Sequence, residues 1–310
     1  MLKLSILSND YESAGPGISK YAPKKKGIAL FFDIFFRKIW KLTGLNMMLF
    51  VFFIPLLLML PALYYIKQPY VCMGVLAVLF LLFAVNIGPA LAGMTKVIRM
   101  FLLERHSFIG RDFFKGYKQN FKKASIIGIL DILAAASAFA GYNVYPDMAQ
   151  QYNTKIFYIP LVLTFSVAIV VMMMNFYIFL MMTATDLSLK NLLKNSFALA
   201  FVSLKQNVLT LLSIIAFAAI MFIIFVKFMP LFILLMPFFP AAIVWFIVCF
   251  NSYPVIQKFV INPYYESMGM TNPELADEAD EIEEETLFED MGGKEKPIEK
   301  RKKGKGKHIS

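Results

Sequence analysis

Apolar residues run along this chain in long blocks, and the basic residues fall between the blocks rather than inside them. Six blocks, at 46–66, 71–98, 125–145, 157–182, 208–226 and 231–250, reach the length of about 20 helical residues that crosses ~30 Å of hydrocarbon. Lipid offers the backbone no hydrogen-bond partner, so blocks of this length read as helices. The second and fourth are longer than a crossing needs and are expected to tilt or protrude. A second pattern precedes every other block. At 100° per residue Phe31, Phe32, Phe35, Phe36, Ile39, Trp40 and Leu42 share one half of a helix, while Arg37, Lys38 and Lys41 share the other. Leu189, Leu192, Leu193, Phe197 and Leu204 oppose Lys190, Lys194 and Lys205 in the same way.

The alternation repeats with a marker residue. Lys-Gln-Asn stands at 118–120 and again at 205–207, and KLTGLN at 41–46, each just ahead of a block. The three asparagines, Asn46, Asn120 and Asn207, are 74 and 87 residues apart, about one amphipathic helix plus a pair of spans. The expected fold is therefore all-α: a polytopic membrane helical bundle of six transmembrane helices, arranged as three units of amphipathic helix plus hairpin. Its domain runs over 31–265, between a basic arm at 1–30 and a charged tail at 266–310.

Composition agrees. The chain of 310 residues is 59% hydrophobic and 17% charged, against roughly 45–50% apolar for a soluble domain. Lysine and arginine number 28 in the arm, the second and fourth connections and the tail, but only three (Lys67, Lys155, Lys227) in the other connections. Cytoplasmic loops retain such residues, so both termini are expected in the cytoplasm and the chain in the plasma membrane. Met1 to Asn9 lacks the full apolar core of a secretory signal. The tail carries ten acids and no base over 274–290, then eight bases and two acids over 294–307. Such blocks bury too little apolar surface to offset ordering entropy, so disorder is expected there.

The stretch from Arg111 to Lys123 interleaves bases with rings. Arg111, Lys115, Lys118 and Lys122 fall at i, i+4, i+7 and i+11 on one helix face, while Phe113, Phe114, Tyr117 and Phe121 occupy a separate arc. This predicts a helix lying in the headgroup plane, with its cations toward anionic lipid. A nucleic-acid surface would need the two sets to converge, so nucleic acid is not an expected partner. Asp131 is the one acid well inside a block. Intramembrane carboxylates face the bundle interior and take a partner, which leaves two readings. Asp131 contacts a cation, proton or polar solute together with Asn86 and Asn175, or it makes a structural hydrogen bond to another helix or to Lys122 and Lys123. Cys72 and Cys249 read as reduced packing residues. Prolines at 55, 61, 89, 160, 237 and 240 fall inside the blocks and are expected to interrupt or kink helices, as transporter spans do. No GxxxxGK[ST], HExxH, GxSxG or GxGxxG is present, so no catalytic residue, metal site or cofactor is expected and the chain does not read as an enzyme.

GPALAGMTKVIRMF at 88–101, then Arg111-Asp112-Phe113-Phe114, then Lys118, Asn120 and Phe121, resemble the YesL-like bacterial membrane proteins over most of 31–263. The resemblance implies an integral membrane protein of uncharacterised activity, with relatives linked to carbohydrate uptake. It brings no site residues. The functional expectation is a transport-associated protein, accessory or permease-like, with transport-complex subunits as partners. The alternative is a scaffold or regulator acting through its basic helices and tail.

Overall fold

The computed structural model describes residues 25–270 and Asn272, so the expectations for the first 24 residues and for the charged tail lie outside the described residues. Between them the chain forms α1 (Ile28–Val51), α2 (Ile54–Tyr65), α3 (Pro69–Leu102), α4 (Ile109–Gln151), α5 (Tyr158–Ala184), α6 (Leu189–Val202), α7 (Leu204–Lys227), α8 (Met229–Leu235), α9 (Pro240–Ile256) and α10 (Asn262–Ser267). Among the described residues there is no strand. Five helices are long and apolar enough to cross a membrane, and α1 with α2, bent by 43°, makes a sixth candidate.

The departures from the sequence reading have local causes. The first block is one helix in expectation and two in fact. Pro55 lies at the start of α2, where it has no N–H to give and its ring would clash with the carbonyl of Val51, so the helix breaks at residues 52–53. The last block breaks as well, between α8 and α9, where Pro237 and Pro240 fall. The segment long enough to cross is therefore Pro240–Ser267, not 231–250. It runs through a π-helical turn, Gln257–Ile261, which follows Pro254. Pro89, in contrast, sits inside an uninterrupted α3.

The second unit departs furthest. No in-plane helix precedes the third span: residues 109 to 151 form one continuous α4 of 43 residues, about 65 Å at 1.5 Å per residue. That is twice the thickness of the hydrocarbon, so a long part of α4 projects beyond any bilayer it crosses. In the third unit the amphipathic α6 and the span α7 are separate helices, joined at the buried Ser203.

Arg37 pairs with Glu104, Arg99 Nη1 donates to Thr183 O at 2.9 Å, and Lys123 Nζ donates to Leu187 O at 2.8 Å. These contacts gather the start of α1 and the α3–α4 and α5–α6 connections at one end, the basic end of the bundle. The buried core lies toward it. Ile34, Leu42, Leu45 and Leu49 of α1 meet Met94, Ile98 and Phe101 of α3, Phe179 and Met181 of α5, Leu192 of α6 and Phe246 of α9. Toward the opposite end Leu60, Leu81, Leu133, Leu163 and Phe222 are exposed. Lipid tails are as apolar as leucine, so apolar faces there gain little by meeting one another.

What draws α3 and α4 together is small residues. A Cβ on Gly88 would stand 2.0 Å from the carbonyl oxygen of Ala124, and one on Gly116 would stand 3.0 Å from Lys96 Cβ. Ser125 Oγ donates to Val85 O across the same seam at 2.9 Å. Backbones this close gain dispersion contacts along their length, which is the attraction left to helices in lipid.

Candidate functional site

Ala124, Ile127, Gly128 and Asp131 fall at i, i+3, i+4 and i+7 of α4, so they form one stripe directed at α3 and α5. The first three are buried and Asp131 is half-buried. Asn175 of α5 reaches Asp131 across the seam, its Nδ2 donating to Oδ1 at 2.6 Å. A carboxylate in an apolar span thus finds an amide, with no cation at hydrogen-bond range among the described residues. The other end of that amide has nothing: Asn175 Oδ1 is buried and has no donor among the described residues. The pair is rich in acceptors and short of donors, which is the chemistry of a site for a proton, a cation, or a hydroxyl or ammonium group.

Asn86 does not join this pair. It accepts from the hydroxyl of Tyr117 and donates from Nδ2 to Leu82 O at 2.7 Å. The close approach at Gly88 fixes the register of α3 on α4 and sets Asn86 against Tyr117 rather than Asp131. Tyr117 is held a second time by Phe52, whose ring stacks on it at 5.3 Å. The break between α1 and α2 is thereby docked on α4. Lys122 and Lys123 are not the partners of Asp131 either, for Lys122 is exposed and Lys123 turns to Leu187.

Arg111, Lys115, Lys118 and Lys122 are all exposed on α4. Arg111 lies 4.7 Å over the ring of Phe108 and 3.8 Å from Asp112. The aromatic arc beside them divides. Phe113 is fully buried and Tyr117 turns inward, while Phe114 and Phe121 stay exposed. Periodicity separates rings from cations but does not show that α3 covers half of the rings. The first amphipathic helix divides likewise: Ile34 and Leu42 enter the core, whereas Phe32, Phe36 and Trp40 form an exposed stripe.

Two of the three repeated asparagines, Asn46 and Asn207, prove to be junction residues. Asn46, 2% exposed, donates from Nδ2 to Met236 O at 3.1 Å and accepts from Ala242 N at 2.8 Å, bridging the break in the last block. Asn207, also buried, donates to Ala200 O at 2.8 Å across the α6–α7 junction and accepts from the hydroxyl of Tyr177. Asn120 stays within its own helix, donating to Gly116 O at 3.1 Å. The Lys-Gln-Asn recurrence marked two of these positions as special without showing their partners. Both cysteines are free, Cys249 buried and Cys72 half-buried.

A bundle of apolar helices, five of them long enough to cross a membrane and a sixth candidate in the bent α1–α2 pair, defines a polytopic α-helical membrane protein. Residues 42–143 match the profile of a family described as "Protein of unknown function, DUF624". That stretch reaches from the middle of α1 into α4 and holds Asn46, Asn86, Gly88, Arg111 and Asp131, but not Asn175. No curated protein and no solved structure matches the chain.

Proposed function

We propose that the chain is a YesL-like bacterial protein of the plasma membrane, with both termini and the basic end in the cytoplasm, that serves solute uptake. It acts as an accessory or permease-like component, with carbohydrate as a solute class, and it works without catalytic chemistry or a cofactor of its own. The orientation follows from the lysine and arginine excess of the connections at the basic end.

The observation that carries this reading is the Asp131–Asn175 pair. Unpaired polar groups in a span are costly, and those that persist mark paths for ions and polar solutes. Here a carboxylate and a donorless amide oxygen share one seam. The interrupted last block is in keeping with it, because broken spans expose backbone groups in transporters.

Two measurements test the proposal. Purification from native membranes in mild detergent is expected to bring down a nucleotide-binding transport subunit at constant stoichiometry. Cells carrying Asp131→Asn are expected to take up labelled sugars more slowly than wild type at equal protein level. Unchanged uptake across a sugar panel in a deletion strain, with no such subunit bound, would overturn it. The exposed row of Arg111, Lys115, Lys118 and Lys122 favours a second reading, a scaffold held on anionic headgroups. In that case regulatory proteins, not transport subunits, co-purify.

A further inference from the structure

A polar cavity of about 390 Å³ opens at the basic end, between α3, α4 and the α5–α6 connection. Its walls include Lys96 of α3, Gln119, Asn120 and Lys123 of α4, and Thr183 and Asp186 near the end of α5. The sequence places these groups by spacing. Gly93 and Lys96 are three residues apart on α3; Gly116, Gln119, Asn120 and Lys123 lie at i, i+3, i+4 and i+7 on α4. Because Gly116 lets the two helices touch beside Lys96, the cations on the two stripes converge.

The hydrogen bonding leaves donors facing the space. Lys96 Nζ donates to Gln119 Oε1 at 2.7 Å, and an ammonium has two further protons. With its oxygen occupied, Gln119 has its amide N–H groups to offer. Lys123 likewise uses one proton on Leu187 O. Among the described residues neither ammonium is ion-paired with a carboxylate. Arg99 and Lys115 act on Lys96 with like charge, and Asp112 with opposite charge. Asp112 is itself engaged with the Phe108 backbone N–H at 2.8 Å. Asp186 is exposed at the wall. Two cations thus line the cavity against one exposed carboxylate.

We infer that this cavity is a binding site for a phosphate-bearing anion, held by Lys96, Lys123 and the Gln119 amide. A phosphate group matches a set of point-charge donors, and the volume lies within the roughly 300–1,000 Å³ of small-ligand sites. The phosphate is supplied either by the headgroup of an anionic lipid or by a soluble phosphate compound. The site is separate from the Asp131–Asn175 pair and stands whether or not the chain assists transport.

The test uses the full chain in phosphatidylcholine nanodiscs and labelled inorganic phosphate. Saturable binding is expected, weakened at least tenfold by Lys96→Gln with Lys123→Gln and unchanged by Lys67→Gln with Lys155→Gln at the opposite end. If the double variant does not fold, Lys96→Gln alone carries the test, because it leaves the Lys123–Leu187 contact in place. Discs containing phosphatidylglycerol separate the sources. A lipid headgroup displaces the labelled phosphate and is retained only when both lysines are present, whereas a soluble ligand's site keeps its phosphate isotherm. Phosphate binding that the lysine variants retain overturns the inference. So does the absence of both phosphate binding and lysine-dependent retention of phosphatidylglycerol, which would leave Lys96 as a partner of Gln119 and Lys123 as a cap for Leu187 O.

Discussion

The side chain of Asn46 accepts the backbone N–H of Ala242 at 2.8 Å, from a helix that begins almost two hundred residues further along the chain. Ala242 is in the first turn of α9, whose N-cap position is filled by Phe239 without a side-chain cap. Helix starts leave N–H groups without partners, and a local Asn, Asp, Ser or Thr normally takes one. Here a side chain from α1 does so instead. Its Nδ2 meanwhile serves Met236 O on the other side of the break. Asn46→Leu removes both contacts at similar volume and strands two backbone groups. The expected loss is about 1–3 kcal/mol, read as a lower melting temperature in detergent. An unchanged melting curve would show that water serves the break equally well.

The α3–α4 seam gives a sharper contrast. Gly88→Ala places a methyl group 2.0 Å from Ala124 O, a backbone atom that cannot swing aside, whereas Gly74→Ala in the same helix meets nothing within 4 Å. Forced overpacking costs about 1–3 kcal/mol or more. Gly88→Ala is expected to lower the melting temperature and the folded yield, and Gly74→Ala to leave both unchanged. Equal behaviour of the two variants would mean that α3 and α4 are not held at backbone contact.

Asp131 and Asn175 are separable from their neighbours by a double-mutant cycle. Their contact is direct, at 2.6 Å, so the single changes Asp131→Ala and Asn175→Ala should be non-additive. Interhelical hydrogen bonds in membranes average about 0.6 kcal/mol and reach about 1.7. A coupling in that range is expected from reversible unfolding in mixed micelles. Additive effects would show that each residue is served by lipid-side water and not by the other.

Much of this arrangement could be read in the sequence, and what could not shares one cause. Block length and lysine distribution depend on each residue's own solubility, so the four spans in α3, α4, α5 and α7 and the basic end emerged from local reading. Breaks were legible only as candidates. Pro55 and Pro240 lie at helix interruptions, while Pro61 and Pro89 sit inside α2 and α3. The three repeated asparagines look alike in sequence but end on Ala242, Gly116 and Ala200. Partner choice depended on packing between helices, which no local pattern encodes. For the same reason Asn175 was legible as a partner of Asp131 only as one of two asparagines in spans, and Lys96 and Lys123 were not read as a pair.

The exposed stripe on α1 tests where the membrane boundary falls. Phe32, Phe36 and Trp40 lie four residues apart on one face, Trp40 is 83% exposed, and Arg37 on the same helix pairs with Glu104. Tryptophan favours the headgroup level, where its ring is in apolar surroundings and its N–H stays hydrated. The chain has two tryptophans, and the other, Trp245, donates from Nε1 to Thr95 Oγ1 at 2.7 Å and meets Phe179 edge-on. In a Trp245→Phe protein the fluorescence therefore reports on Trp40 alone. Lipids brominated near the headgroup are expected to quench it more strongly than lipids brominated near the chain end, and aqueous iodide to quench it weakly. Strong iodide quenching with no bromolipid effect would place the start of α1 in water, and the basic end of the bundle wholly outside the bilayer.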